Sequence, residues 1–156
     1  MKNIKNIVNS IIQEYLNEQE SKQHDFFKKD ITGMAFYDDI IHNRNNKFNL
    51  EYKIVNLLID DYFKLIHDEN GIFQSKEWHL NNKNSMLNEK IFKIVENMKR
   101  GIKYDIPVYD FRDGFQEGRH RLIAASILGC NFAPVALFGY NIDLELKING
   151  IKVYNN

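Results

Sequence analysis

Five consecutive residues, Glu117-Gly118-Arg119-His120-Arg121, carry the densest set of reactive and charged side chains in this sequence. A small and apolar stretch follows them, so the pattern predicts that they form the first turn of a helix. The first backbone N–H groups of a helix have no internal acceptors, and the aligned peptide dipoles leave partial positive charge there. The segment therefore predicts a binding site for a phosphate-like anion.

Each residue of this turn has a physical role in such a site. Gly118 lets the backbone approach an anion because it has no side chain. Arg119 and Arg121 can fork onto phosphate oxygens, and His120 can donate a further hydrogen bond. Gly118, Arg119, His120 and Arg121 are therefore the predicted phosphate-binding residues.

Ion pairing is the alternative interpretation of the two arginines. Arg119 and Arg121 could pair with Asp110, Asp113 or Glu117, which are close in sequence. Exposed pairs of this kind contribute only about 0–1 kcal/mol. Basic residues at a helix N-terminus also run against the preference of the helix dipole for acids. An anion site is therefore the favoured interpretation.

Catalysis would fall on Glu117 and His120. Glu117 could simply complement the helix dipole, or it could act as a general base or magnesium-linked carboxylate in phosphoryl transfer. His120 titrates near neutral pH. Asp110 and Asp113 could hold magnesium through water or could equally form a turn, and the turn is the favoured role of Asp113. No direct metal site is predicted, because the other histidines lack metal-like spacing: His24, His42, His67 and His79.

Bulk composition indicates one folded domain with a local basic site. The chain has 156 residues, 44% of them hydrophobic, and its 21 basic and 21 acidic residues give no net charge. No long-range attraction to nucleic acid or to a membrane surface is therefore expected. Neither a signal peptide nor an apolar run of about 18 residues is evident. The single cysteine, Cys130, fits a reducing compartment, so a cytoplasmic protein is expected.

The N-terminal region predicts an amphipathic helix. Its apolar residues recur at helical spacing: Ile4, Ile7, Val8, Ile11, Ile12 and Tyr15. Packing of this face on the domain is the favoured interpretation. Contact with a protein partner, or with a second copy in a homodimer, is the alternative.

Several elements are predicted to position residues 117–121, the reactive turn, within an α/β (α+β) fold with a small mixed sheet and packed helices. The strands are expected at residues 52–58, 106–109 and 132–138, and a helix with Asp60 as its N-cap follows the first of them. A second helix should begin at Ser85 and end before Gly101, and the helix after the reactive turn should end at Gly129. A hairpin turned at Asn149-Gly150 is predicted for residues 144–154.

This order resembles the ParB/sulfiredoxin-like superfamily, particularly the small ParB-like proteins of phages and mobile elements. The resemblance covers residues 88–138 and extends more loosely from residue 52. It divides the chain into an uncovered N-terminal region (1–50), a ParB/sulfiredoxin-like domain (51–140) and a C-terminal hairpin of the same globule (141–156). The residues that carry the resemblance are Lys99-Arg100-Gly101, Ile106-Pro107-Val108, Glu117-Gly118-Arg119-His120-Arg121, Ala124-Ala125, Leu128-Gly129 and Pro134-Val135.

The resemblance implies a nucleotide-phosphate site at residues 117–121 for a nucleotide of the ATP or CTP class, with Mg²⁺ as a companion ion. It also implies the activity of an NTP hydrolase or phosphotransferase. Sulfiredoxin chemistry is not expected, because Arg119 stands where that chemistry needs a cysteine. A DNA-sliding clamp is not expected either, because no second motif and helix-turn-helix follow residue 138 in this sequence. The alternative is a non-catalytic protein that uses the fold as a scaffold to bind a host factor or DNA.

Overall fold

The fold is a mixed α/β arrangement around a four-stranded sheet. The computed structural model describes residues 3–23, 26–29, 31, 49–66 and 85–154. Within these ranges the helices are α1 (Ile4–Gln23), α2 (Ile59–Leu65), α3 (Ser85–Lys99), α4 (Arg119–Ile127) and α5 (Ile142–Ile148). The strands are β1 (Glu51–Leu58), β2 (Val108–Asp110), β3 (Gln116–Glu117) and β4 (Phe132–Gly139).

The predicted mixed sheet is confirmed, and β4 is one of its two interior strands. The strand order is β1-β4-β2-β3. β4 pairs antiparallel with β1 along eight residues, and it pairs parallel with β2 from Ala136 to Phe138. Seven consecutive residues of β4 are buried, from Ala133 to Gly139, so both faces of the strand are covered. Such a continuous apolar run is typical of a strand buried on both sides.

The connection from β2 to β4 sets the position of the reactive turn. β2 begins directly after Pro107, whose carbonyl accepts a hydrogen bond from the Ala136 amide at 2.8 Å. The chain then reverses through a turn in which the Asp113 carboxylate accepts from the Phe115 amide at 3.0 Å. β3 runs back antiparallel to β2. As a result, α4 starts beside Pro107, at the beginning of β2.

The core joins the sheet to α2, α3 and α4. Leu122, Ile123, Ala124 and Ala125 of α4 are fully buried, because small and apolar side chains allow the helix to approach its neighbours closely. The buried hydroxyl of Tyr62, on α2, donates to the Val108 carbonyl at 2.9 Å. This hydrogen bond ties α2 to the strand that leads into the reactive turn.

The start of α4 differs from the prediction by two residues. Glu117 lies in β3, and Gly118 is the N-cap, with a left-handed φ of 105°. Arg119, His120 and Arg121 are therefore the first three helical residues. The short β3 was missed because two residues are too few to show a strand period.

Most of the other predicted elements that lie in the described residues are confirmed. β1, α3, β2 and β4 match their predicted positions within a few residues. Gly101 and Gly129 follow α3 and α4 with φ of 85° and 95°, as expected for glycines after a helix. Asp60 is not the N-cap of α2, because Leu58 holds that position and Asp60 lies in the first turn.

The predicted C-terminal hairpin is wrong, and α5 takes its place. Ile142 and Leu146 are four residues apart and both are buried, which is the spacing of one helical face. The Asn141 side chain caps the helix by accepting from the Leu144 amide at 3.2 Å. Asn149 and Gly150 form the turn that ends α5, since the Gly150 amide donates to the Lys147 carbonyl at 3.1 Å. An Asn-Gly pair suits a helix end as well as a hairpin.

The N-terminal helix is confirmed and α1 contacts β4, but five of the apolar residues that were predicted to pack on the domain are exposed. Their exposed fractions are 46–76%, and they are Ile4, Ile7, Val8, Ile11 and Ile12. The side chain of Tyr15 lies outside the described part of the chain, as do His24, His42, His67 and His79. Within the described residues, α1 and the other helices are each too short or too polar to cross a membrane.

Candidate functional site

A cleft of about 490 Å³ lies between α3 and the start of α4. Its basic lining residues come from both helices, and they are Lys90, Lys93, Arg119, His120 and Arg121. The other lining residues are Ile94, Asn97, Tyr104, Glu117 and Gly118. The structure therefore brings the predicted residues 117–121 together with a second set of side chains from α3.

The cleft is strongly cationic. Its lining residues in the described part of the chain include two lysines and two arginines but one carboxylate, that of Glu117. Low-dielectric walls strengthen the field of charges gathered in a cleft, so the cleft can concentrate anions although the net charge of the chain is zero. This imbalance favours a ligand with several negative charges.

The N-terminus of α4 adds the helix dipole to this field. The Leu122 amide donates the first helical hydrogen bond, to the Gly118 carbonyl at 3.1 Å, and the amides of residues 119–121 precede it. Amides in this position, with the positive end of the dipole, attract anions. The helix dipole and the four cationic side chains therefore both attract anions to the cleft.

Gly118 is required where the helix meets the sheet. A Cβ at this position would lie 2.8 Å from both Cα and Cβ of Pro107, and 2.9 Å from an Nη atom of Arg121. The φ of 105° also disfavours any residue with a side chain. Glycine therefore allows both the close approach of the two backbones and the folding of Arg121 across the turn.

Arg121 is held by the protein itself. Its guanidinium donates to the Asp105 carbonyl at 2.8 Å and lies 3.8 Å from a Glu117 carboxylate oxygen. Its side chain is only 14% exposed. The predicted ion pairing is thus present for Arg121 and Glu117, although the pair is long. Arg121 contributes positive charge from a fixed position.

His120 and Arg119 lie half-buried at the start of α4. Burial lowers the pKa of His120, and the nearby Arg119 and Lys90 lower it further. Burial also lowers the pKa of Arg119. The lowered pKa favours the neutral imidazole of His120, and an anion bound beside it would raise this pKa again by favouring the charged form.

Asp110 does not line the cleft. It is fully buried, and its carboxylate accepts from Nη2 of Arg112 at 2.7 Å, from Nε at 3.1 and 3.2 Å, and from the Arg112 amide at 3.0 Å. Its acid group therefore organises the turn between β2 and β3. Asp113 also serves this turn, as predicted, through its bond to the Phe115 amide.

No group of three or more acidic, histidine or cysteine residues suited to a metal ion occurs in the part of the chain that the structure describes. Glu117 is the acidic residue that the structure places at the cleft.

Sequence reasoning missed the contribution of α3. Lys90, Lys93 and Asn97 follow the i, i+3, i+7 spacing of one helical face, beside the apolar face that packs into the core. That spacing was visible in the sequence. Its meaning was not, because a polar helical face is usually solvated, and only the packing of α3 on α4 makes it one wall of a cleft.

Comparison of the chain with protein-family models, with curated proteins and with solved structures found no match. The fold and the site together define a mixed α/β protein with a cationic cleft at a helix N-terminus.

Proposed function

We propose that the protein binds a nucleotide through its phosphates in the cleft between α3 and α4. The observation that supports this most directly is the convergence of four charged side chains with the N-terminus of α4: Lys90, Lys93, Arg119 and Arg121. Phosphate groups carry several charges and several acceptor oxygens, which match such a set of donors.

The size of the cleft supports a ligand larger than a single phosphate. A volume of about 490 Å³ falls within the range of about 300–1,000 Å³ that is common for small-molecule sites. The ParB/sulfiredoxin resemblance points to the same residues, 117–121, and to nucleotides of the ATP or CTP class. The proposal joins this resemblance to the electrostatics of the cleft.

Thermal unfolding in the presence of nucleotides tests the proposal. ATP, ADP, CTP, GTP and UTP are compared, each with and without Mg²⁺. A ligand at 100 times its Kd should stabilise the protein by about 2.7 kcal/mol, or roughly 5–10 °C for a chain of this size. Lys93→Ala should weaken binding roughly fivefold to thirtyfold, because it removes one cationic donor from the ligand.

Arg100→Ala is the matched control for Lys93→Ala. Arg100 follows α3, is exposed and does not line the cleft. Its replacement removes the same charge without changing the proposed site, so binding should change less than twofold. The proposal fails if no nucleotide shifts the unfolding temperature, or if the two variants weaken binding equally.

The proposal extends to hydrolysis or transfer of a phosphoryl group. Glu117 is 56% exposed at the side chain and borders the cleft, so its carboxylate is accessible to water and ligand. It would take a proton from the attacking hydroxyl or water as the new P–O bond forms. The bond between the γ-phosphorus and its bridging oxygen would break, the nucleoside diphosphate would leave, and His120 would donate a hydrogen bond to a phosphate oxygen. Mg²⁺ bound to the phosphates would neutralise the charge that develops during transfer.

Turnover of the nucleotide identified in the unfolding experiment tests this extension. Glu117→Gln should lower kcat by about 100-fold or more, which is the contribution of a general base, while nucleotide binding remains. Unchanged kcat in Glu117→Gln would show that the acid serves only the structure of the turn.

The scaffold function remains a second candidate because of α1. Five apolar side chains on one helix stay exposed in the described part of the chain: Ile4, Ile7, Val8, Ile11 and Ile12. Such a face is typical of contact with a protein partner or a second copy. Absence of any nucleotide effect in the unfolding experiment would favour this candidate, and a Lys93-dependent effect would favour the nucleotide site.

A further inference from the structure

Two neutral polar side chains line one part of the cationic cleft. Asn97 of α3 and Tyr104 both line it, and the side-chain Nδ2 of Asn97 donates to the Tyr104 hydroxyl at 2.9 Å. Both residues are partly buried. The pair therefore offers the cleft polar atoms without a charge.

The position of Tyr104 is set by backbone pairing on both sides. Its amide donates to the Phe26 carbonyl at 3.0 Å, and its carbonyl accepts from the Lys28 amide at 2.8 Å. Its ring packs against the core. Because the backbone is held in this way, the hydroxyl has a fixed position before any ligand arrives, and little entropy is lost when it binds one.

The hydrogen-bonding capacity of the pair exceeds the one bond between its members. The Tyr104 hydroxyl accepts a hydrogen bond from the Asn97 side chain and still has its own proton to donate. The side-chain Oδ1 of Asn97 can accept a hydrogen bond. If the oxygen and nitrogen of the Asn97 side-chain amide exchanged places, the pair would still present one donor and one acceptor to the cleft. The edge of a nucleobase presents a matching acceptor and donor side by side.

The distance along α3 fits a nucleotide. Lys90 and Asn97 lie seven residues apart on the cleft side of this helix, which corresponds to about 10 Å along its axis. That length is of the order of the distance from a nucleotide's phosphates to its base. One face of α3 thus combines lysines suited to the phosphates with an amide suited to the base.

We infer that Asn97 and Tyr104 bind the nucleobase edge and make the cleft selective for nucleotides over other polyphosphates. This inference rests on the proposed nucleotide-phosphate site. It divides the cleft by chemistry: the lysines and arginines bind the charged phosphates, and the neutral pair binds the base.

Isothermal titration with two ligands tests this division. One ligand is the nucleoside triphosphate that gives the largest thermal shift, and the other is inorganic tripolyphosphate, which has the phosphates without a base. Asn97→Ala and Tyr104→Phe should each weaken nucleotide binding roughly threefold to tenfold, the effect of losing one or two hydrogen bonds. Both variants should bind tripolyphosphate as the wild type does.

Two controls separate this effect from others. Asn131→Ala removes an exposed asparagine that does not line the cleft, so it should leave both affinities unchanged. Lys93→Ala should weaken both ligands alike, since it acts on the phosphates. Tyr104→Phe keeps the ring that packs on the core, and it therefore tests the hydroxyl even if Asn97→Ala proves unstable.

The outcomes distinguish this inference from the proposed function. Binding of both ligands in the wild type, with a loss confined to the nucleotide in the Asn97 and Tyr104 variants, supports both. If Asn97→Ala and Tyr104→Phe weaken neither ligand or both ligands equally, the base-binding role is overturned and the phosphate site stands. If neither ligand binds the wild type, the phosphate site and the base-binding role both fail.

Discussion

Gly118→Ala is expected to destabilise the protein by about 2–4 kcal/mol. About 1–2 kcal/mol of this comes from the left-handed backbone that a residue with a side chain must adopt. The remainder comes from the clash of the new Cβ with Pro107, whose Cα and Cβ would be 2.8 Å away. Urea-induced unfolding followed by circular dichroism measures the change.

Gly129→Ala is the matched control for Gly118→Ala. Gly129 has a similar φ of 95°, but no atom lies within 4 Å of the Cβ that alanine would add. Its replacement should cost only the backbone strain, about 1–2 kcal/mol. Equal losses in the two variants would show that the contact between Gly118 and Pro107 is not tight in solution.

The Gly118 variant should also lose affinity for phosphate ligands beyond its loss of stability. Pro107 cannot move far, because its carbonyl is bonded to the Ala136 amide in the sheet. The start of α4 must therefore shift, and with it Arg119 and His120. Titration with tripolyphosphate at a temperature where the variant is folded measures this effect, and Gly129→Ala should bind normally.

Asp110→Ala is expected to destabilise the protein by about 2–4 kcal/mol. The substitution leaves the Arg112 guanidinium without its carboxylate and removes the acceptor of the Arg112 amide. Breaking a fully buried pair costs about 3–5 kcal/mol. The side chain of Arg112 is 27% exposed and can be partly rehydrated, so the expected loss is somewhat smaller. Thermal and urea unfolding give the value.

Asp113→Ala provides the comparison within the same turn. Its exposed carboxylate accepts one amide hydrogen bond, from Phe115, so the variant should lose only about 0.5–1.5 kcal/mol of stability.

The magnesium role predicted for Asp110 is tested in the same proteins. If Asp110 only organises the turn, the effect of Mg²⁺ on nucleotide binding should persist in folded Asp110→Ala. Its disappearance there, with Asp113→Ala unaffected, would restore the magnesium role.

Local features of the chain were predictable because they depend on neighbours in sequence. The apolar run of β4, the spacing in α3, and Gly101 and Gly129 after their helices all follow from periodicity and backbone preference. The reactive turn at residues 117–121 belongs to the same class. Its arginines stand out because they oppose the helix dipole whatever the rest of the fold does.

Short or ambiguous signals were not predictable in the same way. Asn149-Gly150 suits a hairpin or a helix end, and the burial of Ile142 and Leu146 decided for α5. β3 has two residues and exists because β2 offers it a partner. In each case a contact made outside the segment selects between conformations that are similar in local energy.

The sequence by itself therefore determined that a cationic turn begins a buried helix. Only the tertiary structure decided what surrounds that turn. The packing of α3 on α4 adds Lys90, Lys93 and Asn97 to the cleft, and the turn after β2 directs Asp110 to Arg112. These partners are chosen by side-chain packing and by the satisfaction of buried charge, which depend on where distant segments meet in space.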